Sequence, residues 1–145
     1  MNTSEVPTVV VDTDSLIALF NKDDANSKKA EILFQMLYQK KARLIYPATT
    51  LAETVDTLQR RLKKHKEAEE IARLIGAAQF AQESIESITG AILKDAVSFF
   101  KKRQSKGNTL ADAVVAAVAQ KYNASVFSFD DWYRKLGFKL VPDIY

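Results

Sequence analysis

"VVVDTDSLIALF", residues 9–20, joins an unbroken β-branched run to two carboxylates and then to an apolar stretch. Three valines in a row with no polar alternate mark a strand covered on both faces, the habit of a parallel sheet flanked by helices. Asp12 closes that run and a helix over 15–22 follows it. A buried strand passing straight into a helix is the βα junction of an open α/β sheet, and ligands bind at the edge where such junctions collect. Asp12 and Asp14 therefore stand where the core meets that edge.

Outward from this stretch the pattern repeats. "ANSKKAEILFQMLYQKK" (25–41) reads as a helix, with Ile32, Leu33, Met36 and Leu37 at helical spacing, and "ARLIYP" (42–47) as a second short strand stopped by Pro47. A third helical region begins near Leu51 and runs to Phe80, divided near residues 64–67. "ESIES" (83–87) is a weak strand. "GAILKDAVSFFKKRQ" (90–104) carries Ile92, Leu93, Ala96, Val97, Phe99 and Phe100 on one broad stripe expected to pack on the sheet, and "SKGN" (105–108) ends it with loop chemistry. "TLADAVVAAVAQKY" (109–122) is an Ala/Val-rich helix suited to close approach. "ASVFSFDD" is another buried strand ending in acids, "DWYRKLG" a short helix and "FKLVP" a last strand. Strand and helix alternate throughout, so the expected class is α/β with a mainly parallel sheet and helices on both faces, a single domain over 1–145.

Composition narrows the chemistry. The 145 residues include no cysteine and one histidine, His65. Disulfides and thiolate metal sites are excluded, and any metal must be held by oxygen, which favours Mg²⁺ or Mn²⁺ over Zn²⁺. Lys plus Arg exceed Asp plus Glu by 21 to 18, a balance that permits a nucleic-acid partner without requiring one. No run reaches the roughly 18 apolar residues of a membrane span, and "MNTSEVPTVVVDTD" has no export signal, so a soluble cytoplasmic protein with no membrane partner is expected.

The acids each have a local explanation. "TLAE" (50–53) matches a capping box with Thr50 as cap and Glu53 reaching back, and "TLAD" (109–112) matches the same box with Asp112. Asp14 can cap the first helix, and Asp130 or Ser128 the short helix after "SVFSF". Their joint address offers a second explanation. Asp12, Glu53 and Asp130 each fall at a strand-to-helix junction and Asp112 in a helix's first turn, so four acids from distant segments can meet at one sheet edge. Like charges so grouped need a cation, and one or two Mg²⁺ or Mn²⁺ ions are the natural oxygen-bound choice.

These residues resemble the PIN-domain ribonucleases. "VVVDTDSLIALF" resembles that family's opening, "PATTLAET" its second motif, and "TLADAVVAAVAQKYNASVFSFDDWYRKLGFKL" its third and fourth motifs run together. The resemblance implies an acidic site of Asp12, Glu53, Asp112 and Asp130, with Asp12, Asp112 and Asp130 as metal ligands and Glu53 as ligand or water-orienting residue. It implies metal-dependent hydrolysis of RNA and, from the chain's size, a VapC-like toxin that dimerises and is silenced by a small antitoxin. Two departures are Asp14, where Asn or Ser is commoner, and Asp131, where a base often stands. Either is a cap or solvated acid, or an adjustment of metal affinity.

"RRLKKHK" (60–66) and "KKRQSK" (101–106) are RNA-backbone contacts or simply solvated helix faces. His65 is expected exposed, and Trp132 and Tyr133 are expected to anchor the last helix rather than stack on bases. The amphipathic stretches "AEILFQMLYQ" and "EEIARLIGAAQF" serve either core packing or a dimer or antitoxin groove. Two other classes compete: a phospho-accepting receiver, which wants a lone Asp after a central strand that "ESIES" does not offer, and a non-catalytic RNA- or protein-binding module of the same fold.

Overall fold

The computed structural model describes residues 6–77, 83–102 and 107–145. Its centre is β1 (Thr8–Val11), which pairs in parallel with β2 (Arg43–Pro47) on one side and β4 (Ser125–Phe127) on the other; β3 (Glu83–Glu86) extends the sheet beyond β2. The order is β3-β2-β1-β4 and every pairing is parallel. Successive side chains of a strand face opposite ways, and the two cores follow that period. Val10, Ile45 and Val126 face α6 (Leu110–Tyr122) and α5 (Gly90–Phe100), whereas Val9, Val11, Leu44, Tyr46 and Phe127 face α1 (Thr13–Phe20) and α2 (Ser27–Gln39). Both faces are covered, which is why β1 has no polar alternate.

α2 buries Ala30, Leu33, Phe34 and Leu37, and Phe34 meets the ring of Phe127 at 4.6 Å between centroids. Ile32 of the expected stripe points to solvent and Met36 is half-buried. All seven residues from Ala113 to Ala119 of α6 are buried, because that helix is enclosed by α5 on one side and strands on the other. Fully burying each valine contributes about 1.5–3 kcal/mol, so this helix anchors the domain's acid-bearing end.

Several expectations are corrected. α5 packs chiefly against α6 rather than directly on the sheet, so its buried stripe narrows to Ile92, Ala96 and Phe99 while Leu93 and Val97 are exposed. The long helical region is α3 (Ala48–Asp56), a π turn (Thr57–Arg61) and α4 (His65–Ala77). Its division falls at 62–64, where Leu62 N–H closes the π turn on the Thr57 carbonyl and Lys63 takes φ 57°. "FKLVP" is not a strand. Leu140 makes one bridge to Val126 and the chain then turns into α8 (Val141–Ile144), because Pro142 has no N–H for a ladder and suits the first turn of a helix. The expected TLAE capping box also fails: α3 already starts at Ala48, directly after Pro47, so Thr50 lies inside the helix and fully buried. Residues 103–104 of the helix expected over 90–104 and 105–106 of "SKGN" lie outside the described residues, as do 103–106 of "KKRQSK" and 78–80 of the third helical region.

Candidate active site

Asp12 extends the β1 ladder by one bond, its N–H donating to the Phe127 carbonyl at 3.0 Å. The chain then turns into α1, and it is Asp12, not Asp14, that caps this helix: Asp12 Oδ1 accepts from Thr13 N–H at 2.8 Å. Asp14 is left to reach across to the end of β4, where its Oδ2 accepts from Phe129 N–H at 2.9 Å.

Between these two acids sits Ser128, fully buried. Its Oγ lies 2.9 Å from Asp12 Oδ2 and 3.1 Å from Asp14 Oδ2, and it accepts from Asp130 N–H at 3.0 Å. A hydroxyl has one hydrogen to give, so the two carboxylates share a single donor. Burial first, and then the neighbouring Asp14 and Asp112, hold the Asp12 carboxyl well above the ordinary range. Burial also raises Asp14, against the opposing Phe129 and Ser128 bonds and with a push from Asp130.

The third and fourth segments close the group. Thr109 and Asp112 form the expected capping box at the start of α6: Asp112 N–H donates to Thr109 Oγ1 at 3.1 Å and Asp112 Oδ2 accepts from Thr109 N–H at 2.9 Å. Burial lifts the Asp112 carboxyl to about 6; the Thr109 N–H opposes this, and the charges of Glu53, Asp130 and Asp14 add to it. Asp130 accepts from Trp132 N–H at 2.9 Å, which ties it to the start of α7 (Trp132–Lys135), and from Asn108 Nδ2 at 2.9 Å. The sheet edge thus brings together Asp12, Asp14, Glu53, Asp112 and Asp130. Among the described residues none of the five has an ion-pair partner; Lys64, Lys121, Arg134 and Lys135 pair instead with Asp23, Glu86, Asp131 and Asp143.

Asp131 is therefore not a site acid. It is exposed and pairs with Arg134 and Lys135. His65 is exposed at the head of α4, beside an open groove of about 160 Å³ lined by Val55, Gln59, Ala68, Glu69 and Ala72. Trp132 and Tyr133 are buried in the core, as expected of anchors. Three contributors escaped the sequence: Ser128 as the hinge between two acids, Asn108 as the donor to Asp130, and the Tyr133 hydroxyl, which donates to the Asp112 carbonyl at 3.1 Å. Tyr133 carried a signal, since a tyrosine placed in a core needs a partner for its hydroxyl, and Ser128 was legible only as a candidate cap.

All donors here are oxygens with unneutralised charge, which suits a hard divalent ion. Four of the carboxylates are held by backbone, hydroxyl or amide donors, and among the described residues no three form a ready-made metal cage. Mg²⁺ and Mn²⁺ fit such a set, because Mg²⁺ keeps much of its water and takes one or two carboxylates directly.

The family model of the PIN domain matches residues 9–139, and the chain belongs to that family. The receiver alternative ends with that assignment. Among solved structures, the chain is similar to Mycobacterium tuberculosis VapC20, described as a sarcin-ricin loop cleaving toxin, at 24% identity and TM-score 0.74, over 90% of this chain and 95% of that one. It is similar to FitAcB from Neisseria gonorrhoeae at 17% identity and TM-score 0.62, over 91% and 95%. It is also similar to VapBC2 from Rickettsia felis, bound to a DNA fragment from its promoter, at 14% identity and TM-score 0.61, over 92% and 96%. These likenesses are of fold. No curated protein matches the sequence itself. Among the described residues no helix is long and apolar enough to cross a membrane.

Proposed function

We propose that this protein is a metal-dependent endoribonuclease that hydrolyses RNA phosphodiester bonds, with Asp12, Glu53, Asp112 and Asp130 as its catalytic acids. The observation that carries the reading is five carboxylates from four segments at one sheet edge, none of them ion-paired among the described residues. Asp12, Asp112 and Asp130 would hold Mg²⁺ or Mn²⁺. When bound, the ion supplies charge for the scissile phosphate and lowers the pKa of a water molecule. Asp12 is fixed by Thr13 and Ser128, and Asp130 by Trp132 and Asn108, so each presents an oriented carboxylate without needing to reorganise. Glu53 has no hydrogen-bond partner among the described residues, and this leaves its carboxylate to orient a nucleophilic water beside Asp112.

The finer reading is a VapC-like toxin: a cytoplasmic, single-domain homodimer neutralised by a cognate small antitoxin. Its support is the shared fold with VapC20 and with VapBC2 over nearly the whole length of each chain. A short neighbouring reading frame encoding a DNA-binding antitoxin, and co-purification of its product with this chain, tests that part.

The activity is tested with the purified chain, RNA, and Mg²⁺ or Mn²⁺ against chelator. Cleavage is expected with metal only, and lost in Asp12→Asn and Asp130→Asn; the metal-free fold of Asp12→Asn, whose amide can still accept from Thr13 N–H and meet Ser128 Oγ, is as stable as the parent or slightly more so, whereas Asp130→Asn gives up one of the two bonds accepted from Trp132 and Asn108. Equal cleavage by parent and variants overturns the site. RNA or protein binding without any cleavage replaces the reading with a non-catalytic module.

A further inference from the structure

The loop entering α6 and the turn leaving β4 are fastened to each other twice, in opposite directions. Asn108, on the α6 side, donates its amide Nδ2 to Asp130 Oδ2 at 2.9 Å. Tyr133, on the β4 side, donates its hydroxyl to the Asp112 carbonyl at 3.1 Å, where the same hydroxyl also faces the Asp12 carboxylate. One strap lands on the Asp130 carboxylate and the other on the backbone carbonyl of Asp112, so each ties the segment of one site acid to the segment of the other. Both donors are deeply buried, Asn108 at 7% and Tyr133 at 0% exposure. Both are also neutral. That matters because Asp112 and Asp130 repel each other. A lysine or arginine here would hold the acids together by cancelling their charge, in competition with a metal ion; an amide and a phenol hold position and leave the charge available.

We infer that Asn108 and Tyr133 form a reciprocal pair of positioning residues that sets the spacing between Asp112 of α6 and Asp130 in the turn after β4 for a divalent ion. The inference rests on the nuclease reading above. A purely structural role is the competing account: Tyr133 packs in the α6-facing core with its ring 5.4 Å from that of Trp132, and Asn108 orders a loop. That account predicts lost stability with unchanged ion binding, so the two separate by experiment.

The full chain is compared with Asn108→Ala, Tyr133→Phe and the double variant. Mn²⁺ binding is measured by titration calorimetry, melting temperature in chelator, and RNA cleavage as kcat and KM. Each single change is expected to weaken Mn²⁺ binding and lower kcat about 10-fold with KM little altered, the scale seen when a partner that orients a metal ligand is removed. The double variant should fall short of the product of the singles, because either strap alone fails to keep the spacing. Tyr133→Phe retains the ring, so if Asn108→Ala melts below assay temperature the phenylalanine variant decides alone.

Mn²⁺ affinity within twofold of the parent in Tyr133→Phe, whatever its melting temperature, overturns the inference, as does a double variant equal to the product of the singles. A parent that neither binds Mn²⁺ nor cleaves RNA overturns the nuclease reading and this inference with it. A parent that does both while the variants match it overturns this inference only.

Discussion

Thr50-Leu51-Ala52-Glu53 and Thr109-Leu110-Ala111-Asp112 differ by one methylene group in their last side chain, and the fold uses them in opposite ways. At 109–112 a loop precedes the helix, Thr109 takes the cap position, and Asp112 spends one carboxylate oxygen on the Thr109 N–H. At 48–56 no loop intervenes. β2 ends at Pro47 and α3 begins on the next residue, so Thr50 is already inside the helix and Glu53 has nothing to cap. The start of the helix, not the tetrapeptide, decides whether the acid is used locally or left for the site. One acid is fastened and half committed. The other is uncommitted, and the two interact at the same sheet edge.

The largest expected consequence is in activity. Asp112→Asn keeps an oxygen to accept from Thr109 N–H, so the cap survives while the charge is lost. Cleavage should fall roughly 100- to 1,000-fold, the scale of removing one group that stabilises transition-state charge. Glu53→Gln, a residue argued to orient water, should cost less, about 10- to 100-fold. Steady-state RNA cleavage by both variants tests the ranking. A Glu53→Gln enzyme indistinguishable from the parent would remove Glu53 from the site and leave the contrast between the tetrapeptides purely structural.

The strand-to-helix junctions were legible because β1, β2 and β4 carry apolar runs that leave only one place for Asp12 and Asp130, just past the strand ends. The capping box at Thr109 was legible for the same local reason. The box at Thr50 misled because capping motifs say nothing about whether the preceding proline ends a strand at the helix's doorstep. Ser128 and Asn108 were out of reach for a different reason: their partners are 116 and 22 residues away, and a short polar side chain carries no trace of a distant acceptor. The final "FKLVP" read as a strand from its apolar content, and Pro142 overrode it. The π turn had no sequence signal at all.

A smaller effect is the pH dependence of the fastened acid. Asp112 is lifted from an ordinary 3.8 to about 6 by burial first and by its acidic neighbours second, so between those values the folded chain keeps a proton that the unfolded chain has released. Unfolding then loses protons, and this contribution to stability is full below about pH 4 and disappears as pH rises through about 6. Its slope is at most about 1.4 kcal/mol per pH unit, reduced by solvent screening at a partly exposed carboxylate. Asp12 and Asp14 are raised in the same sense. In chelator, melting temperature minus that of Asp112→Asn should fall as pH rises from 4 to 6.5. Added Mn²⁺ should flatten the decline by favouring the ionised acids. A difference that rises with pH in chelator would mean that Asp112 is not held protonated by its surroundings.

The smallest effect addresses the two threonines directly. Thr109 Oγ1 accepts from Asp112 N–H at the helix start, so Thr109→Val strips the cap and should destabilise the fold by about 1 kcal/mol. Thr50 Oγ1 is buried without a hydrogen-bond partner among the described residues, so Thr50→Val replaces an unsatisfied hydroxyl with a methyl group of similar shape. Removing such a group is neutral or stabilising, by up to about 1 kcal/mol. Urea unfolding of both variants should therefore give shifts of opposite sign, or a loss against no change. Equal losses would mean that Thr50 makes a bond worth as much as a cap, and the two threonines would then not differ as the two helix starts require.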